Sequence, residues 1–136
     1  MRDVHAVVRA YLAAQSDLTD VVGARIYAGR DVPPVDYTPE GSGPCVVFKV
    51  RGGAGQYQGR DYEDALIIPS FQFKCYGYEE IEAFQVYRLL VDVLHGQHSG
   101  TILHAQETGV GQSLEEPPPT EWRFVLCFFE LMIRSA

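Results

Sequence analysis

The side chains able to do chemistry in this chain are scattered rather than gathered. Four histidines, His5, His95, His98 and His104, could act as metal ligands or proton carriers. His95-Gly96-Gln97-His98 has a spacing seen in metal sites. However, a glycine at an expected helix end breaks the geometry, and no second ligand cluster accompanies it. Surface histidines are expected, and no metal. None of Ser16, Ser42, Ser70, Ser99, Ser113 and Ser135 stands in a G-x-S-x-G turn that would present a nucleophile. Cys45, Cys75 and Cys127 lack C-x-x-C spacing and fall in expected strands, the last two among aromatics. Inert, buried free thiols are expected; a disulfide between neighbouring strands is the alternative, with no pair selected.

Gly52-Gly53-Ala54-Gly55 lacks the lysine and hydroxyl of a phosphate-binding loop and opens no helix, so mobility is its expected purpose. The acids Asp61, Glu63 and Asp64, and the pair Glu115 and Glu116, lie on expected loops as solvated charge. No catalytic residue, no metal and no cofactor is expected, and the chain is not read as an enzyme.

Bulk properties agree with a globular protein. A length of 136 residues suits one domain over 1–136, with 46% hydrophobic and 21% charged residues. The run Phe124 to Phe129 is too short to span a bilayer, and Met1-Arg2-Asp3-Val4-His5 lacks the apolar stretch of a signal peptide. A soluble, unexported chain without membrane contact is expected. A formal net charge of −7 argues against a surface that grips nucleic-acid phosphates, because that affinity comes from clustered cations.

The elements that must position these side chains follow from apolar periodicity. Val4, Val7, Val8, Tyr11 and Leu12 form one helical stripe, with Asp3 where an N-cap belongs. Ser16-Asp17 ends this helix or opens a short turn that brings Leu18, Val21 and Val22 to the core before Gly23 stops it. Four prolines between Asp31 and Pro44 predict a surface loop. Along Cys45 to Arg51, Val46, Phe48 and Val50 share one face, with Lys49 and Arg51 opposite; Phe71, Phe73 and Cys75 alternate with Gln72, Lys74 and Tyr76. These two strands predict an antiparallel pair with a long, protruding and mobile connection from Gly52 to Asp64. A second helix spans roughly Tyr78 to His95, with Ile81, Phe84, Tyr87, Leu90, Val91 and Leu94 as its apolar face. A strand from Thr101 to Glu107 continues through a bulge or bend at Gly109-Val110-Gly111, and Glu115 to Pro119 is an exposed turn.

The closing strand, Glu121 to Arg134, is apolar on both sides. Trp122, Phe124, Leu126 and Phe128 point one way, and Val125, Cys127, Phe129, Leu131 and Ile133 the other. Either it is covered on both sides within the subunit, or a neighbouring subunit covers one face. The sum is an α+β fold in the order α-β-β-α-β-β: an antiparallel-dominated sheet of about four strands with two helices on one face.

The passage Leu18-Thr19-Asp20-Val21-Val22-Gly23-Ala24-Arg25-Ile26-Tyr27 leads into a proline-rich loop and the strand Pro44-Cys45-Val46-Val47-Phe48. Its wording resembles the tail-completion, or tail-terminator, proteins of long-tailed bacteriophages, which carry L-T-x-x-V-G-x-R-I-Y and P-x-V-V-F in that order. The both-sided apolar final strand and Pro117-Pro118-Pro119 have no counterpart in that pattern. The resemblance implies a structural subunit that caps the tail tube as a ring, usually a hexamer, at the head-proximal end and contributes to head–tail joining. It implies assembly in the host cytoplasm, residence in the virion, and three partners: further copies of itself, the tail tube protein and the head connector protein. DNA would pass through the channel without specific binding. Tyr57, Gln58, Arg60, Asp61, Glu115, Glu116, Phe129 and Leu131 are the contact residues this reading selects. Another neck or connector component is the alternative, and a small ligand-binding α+β domain a more distant one.

Dialysis against a chelator should leave fold and assembly unchanged. A stoichiometric metal found by elemental analysis, with stability lost on its removal, would contradict the metal-free reading.

Overall fold

The computed structural model describes residues 3–57, 65–96 and 100–134. Helix α1, Val4–Ala13, starts where the Asp3 carboxylate accepts from the Ala6 amide at 3.2 Å, and it buries Val8 and Leu12. A separate helix α2, Ser16–Val22, follows at once and buries Leu18 and Val22. Gly23 ends it at φ 59 while its amide donates to the Thr19 carbonyl at 2.7 Å.

The remaining elements are β1 (Ile26–Ala28), α3 (Pro39–Ser42), β2 (Cys45–Tyr57), β3 (Ala65–Gly77), α4 (Glu80–Leu94), β4 (Ile102–Glu115) and β5 (Arg123–Arg134). They build one five-stranded sheet in the order β1-β2-β3-β5-β4, antiparallel except where β1 runs parallel to β2. The expected α-β-β-α-β-β frame is present. Among the described residues it carries five strands rather than about four, and four helices rather than two. The additions are α2, β1 and α3, segments too short to show a period of their own.

Register decides the faces. Phe48 opposes Phe73, which in turn opposes Cys127, and Phe71 opposes Phe129. These side chains, with Val46, Cys75, Val125, Leu131 and Ile133, meet α1, α2 and α4 in one buried cluster. The expected split of β2, β3 and β5 into two faces is therefore found, and the helix-covered face is the one bearing Val125 to Ile133. On the opposite face, Tyr37, Cys45, Val47, Tyr76 and Phe124 form a smaller buried cluster. The proline-rich stretch covers this end of the sheet instead of running free.

Two expectations are corrected. Gly52 to Tyr57 is not a loop: it belongs to β2, and Gly53 to Tyr57 pair with Pro69 to Ala65 after a register shift between Val50 and Gly53. At Gly53, φ is 127, and a Cβ would lie 2.4 Å from the Ile68 carbonyl oxygen. The glycine permits a close strand crossing. The rest of the expected mobile connection, 58–64, lies outside the described residues.

In α4 the buried positions are Ala83, Val86, Tyr87, Leu90 and Leu94. Phe84 and Val91 are half-buried at the flank, and Ile81 is 78% exposed. The helix is turned from the expected stripe because its sequence offers apolar residues over more than one face. The third strand, finally, runs on to Glu115, with register shifts on either side of Gly109 as the glycines implied.

Phe73→Ala should cost about 3–5 kcal/mol and Leu90→Ala about 2–5 kcal/mol in denaturant melts. Ile81→Ala should stay within about 0.5 kcal/mol of the parent. Equal losses for Leu90 and Ile81 would contradict the observed phase of α4.

Candidate functional site

The L-T-x-x-V-G-x-R-I-Y passage lies at the junction of α2, β1 and β2, and its residues do structural work. Leu18, Val22 and Ile26 are buried. Arg25 donates from Nε to the Pro44 carbonyl at 2.9 Å and from Nη2 to the Val21 carbonyl at 3.3 Å. One guanidinium thus ties the end of α2 to the start of β2, satisfying a carbonyl at a helix end. Tyr27 packs edge-on against Tyr37 with centroids 6.4 Å apart.

The sheet face away from the helices carries a polar ribbon that sequence patterning does not reveal. Lys49 pairs with Asp31 at 2.5 Å, Asp31 accepts from Gln72 Nε2 at 3.3 Å, and Gln72 accepts from Arg51 Nη1 at 2.8 Å. Gln72 is 4% exposed, and these bonds satisfy it. Lys49 and Gln72 hold Asp31's carboxyl below its usual range through hydrogen bonds. Further along, the Tyr76 hydroxyl donates to Glu116, and Lys74 lies 3.8 Å from the same carboxylate and 4.9 Å over the Phe124 ring. Beyond Phe124 the cover thins along β5: Leu126 is half-buried and Phe128 is 36% exposed.

Several strand-edge groups are closed from within. In β4, the Ala105 carbonyl accepts from the Gly96 amide at 2.9 Å and the Gly111 amide donates to the Tyr87 hydroxyl at 2.9 Å. The Glu107 amide donates to His95 Nδ1 at 3.5 Å, while Tyr87 donates to the Glu107 carboxylate at 2.6 Å. On β2, the Val50 amide donates to His5 Nε2 at 3.2 Å. His5 is half-buried between Phe48 and Phe71, not a free surface histidine, and His98 lies outside the described residues.

The expected contact residues do not converge. Tyr57 closes β2, while Gln58, Arg60 and Asp61 lie outside the described residues. Glu115 is exposed and 3.8 Å from Arg123. Glu116 is not solvated charge but the largely enclosed acceptor for Tyr76. Phe129 and Leu131 are fully buried under the helices, so neither offers surface to a neighbour. The exposed apolar surface of β5 is instead at Phe128, on its other side.

The thiols are free and buried, as the spacing implied. Burial pushes Cys45 up to about 12, and the Cys127 side chain together with burial raises Cys75. Neither supplies a thiolate near neutral pH. Among the described residues, no group of three or more His, Cys, Asp or Glu side chains is arranged to hold a metal.

No family model matches the chain, and no curated protein matches its sequence. Among solved structures, it resembles a chain of one described as "Virion of native gene transfer agent (GTA) particle", with a TM-score of 0.67 and 15% identity. The likeness covers 96% of this chain and 93% of that chain, so the two share a fold over nearly their whole lengths.

Three phenols should report on folding at alkaline pH. Burial is the main cause that raises Tyr37, Tyr76 and Tyr87, the last to about 12; the carboxylates of Glu116 and Glu107 add to it at Tyr76 and Tyr87. The unfolded chain ionises its tyrosines near pH 10. The stability from keeping these phenols neutral is therefore complete below about pH 10 and lost as pH rises toward the folded values. Tyrosinate absorbance should show these three ionising only with unfolding. Full ionisation of all eight tyrosines while circular dichroism stays native would contradict this.

Proposed function

We propose that this chain is a structural subunit of a phage-like virion and, within that class, a tail terminator. In this reading it forms a ring on the head-proximal end of the tail tube and contributes to joining tail to head. The observation that carries the proposal is the fold likeness to a gene transfer agent virion chain, which spans both chains almost end to end. The L-T-x-x-V-G-x-R-I-Y passage supports the finer assignment, because Arg25 and Gly23 hold together the α2–β1–β2 junction that it encodes.

A closed ring requires heterologous contacts, in which two different surfaces of the subunit meet. The thinly covered face around Phe128 and the opposite, helix-bearing side are different surfaces of the kind such contacts need. Six copies at −7 each would carry a formal charge of about −42, which discourages passing DNA from adhering. The chain needs no catalysis, cofactor or metal for this role.

Particles made without the protein should contain uncapped tubes and unjoined heads, and labelled protein should mark the head-proximal end of the tail. Joined, normal particles in its absence would overturn the proposal. Label confined to the head side of the junction would favour a different connector component. Because like-charged copies repel, light scattering should show ring assembly weakening at low salt and strengthening as salt is added. The opposite dependence would mean that attraction between unlike charges drives the contact.

A further inference from the structure

Three exposed apolar side chains, Val32, Val35 and Tyr78, lie near the end of the sheet where β3 stops and β5 begins. Two grooves adjoin there, on either side of a ridge made by Thr120 and Trp122. One encloses about 290 Å³ beside Val32, Pro34 and Val35; the other encloses about 340 Å³ beside Tyr78, Glu40 and Glu121.

We propose that this double groove docks an extended segment of another protein, apolar along its length and carrying cationic side chains. The ring reading leaves the chemistry of its outside partners open; this inference supplies one, and it stands or falls without the ring.

The apolar wall is held in place rather than loosely exposed. Pro33 and Pro34 fix the backbone between the two valines. Beneath them, the buried Tyr37 packs edge-on against Trp122 at 5.6 Å, and its hydroxyl donates to the Gly43 carbonyl. Apolar groups preset in this way lose little freedom when a ligand covers them. Exposed apolar surface so arranged marks an interface.

Charge selects the occupant. Glu40 and Glu121 line the second groove and form no ion pair among the described residues. The cation in that lining, Arg123, is already 3.8 Å from Glu115. Glu79 and Glu80 add exposed negative charge beside Tyr78. In the first groove Glu116 is engaged by Tyr76 and Lys74, so that wall is effectively apolar. A segment with an apolar side chain for the first groove and a cation for the second matches both. A second copy of this chain, with 18 acidic against 11 basic residues, is a poor source of cations for a groove lined by Glu40 and Glu121, which points to a different, cationic protein as the occupant.

Trp122, the sole tryptophan, stands on the ridge and reports occupancy through its fluorescence. The probes are three peptides of identical Val and Leu content with Arg, Gln or Glu at two alternate positions. The Arg peptide should shift the emission saturably and bind at least tenfold more tightly than the Gln peptide, with the Glu peptide weakest. Glu40→Gln, alone or with Glu121→Gln, should reduce the preference for Arg over Gln. Val35→Asp should weaken the Arg and Gln peptides while leaving the melting midpoint unchanged. Equal binding of all three peptides, or no shift at millimolar peptide, would overturn the proposal. So would emission that shifts with protein concentration alone and reverts in Val35→Asp, since a second copy would then fill the groove. A failure of ring assembly in particles changes none of these readings.

Discussion

Phe73 stacks on Phe48 with ring centroids 5.3 Å apart and meets Phe129 edge-on at 5.7 Å, joining β2, β3 and β5 across the middle of the sheet. The remaining architecture depends on this line of contact because it sets the register of three strands at once. A slip of one residue would bring Lys74 or Gln72 under the helices and expose Phe73. With the register set, Val46, Cys75, Val125, Cys127 and Leu131 all face the helices. The helices then supply Leu12, Leu18, Val86 and Leu90 to the same cluster.

That arrangement uses all three longer helices on one face and leaves the other to be covered by other means. The proline-rich stretch provides part of the cover through Tyr37, and Trp122 provides more from the start of β5. Polar side chains occupy the next positions, but in a closed network: Gln72 between Asp31 and Arg51, and Glu116 between Tyr76 and Lys74. Among the described residues no buried side-chain nitrogen or oxygen lacks a partner. The cover ends at Phe128. The final strand is thus enclosed on one side and graded from buried to open on the other, an outcome between the two that its double apolar pattern allowed.

The closed edges bear on how such a subunit meets others. Tyr87, His95 and Gly96 occupy backbone groups of β4, and His5 occupies one of β2, so strand addition is blocked at those positions. Contacts must rely on side-chain surfaces there. Among the described residues, the open face near Phe128 and the grooved end at Trp122 are two such surfaces, and they differ in chemistry and position. A component that meets unlike partners on unlike surfaces suits the proposed virion role better than a site built around one reactive centre.

Period-two alternation in β2, β3 and β5 and the stripe of α1 were legible because side-chain direction follows from local backbone geometry. The same local logic placed the three thiols inside the sheet and the bulge beside Gly109. Five features needed the tertiary structure. A three-residue β1 exists only because β2 supplies its hydrogen bonds. Glycines at 52, 53 and 55 read as a loop until Gly53 is seen against the Ile68 carbonyl. The phase of α4 was ambiguous because Ile81, Phe84, Val86, Leu89 and Leu90 offer more than one apolar face, and only the sheet beneath selects among them. Glu116 finds Tyr76 forty residues away in sequence, and Phe129 and Leu131 are enclosed rather than offered. Sequence alone therefore determined which residues share a face, a property of neighbours along the chain. Which face is covered, and by what, was decided only in three dimensions, where one sheet with two apolar sides competes for a limited supply of helix.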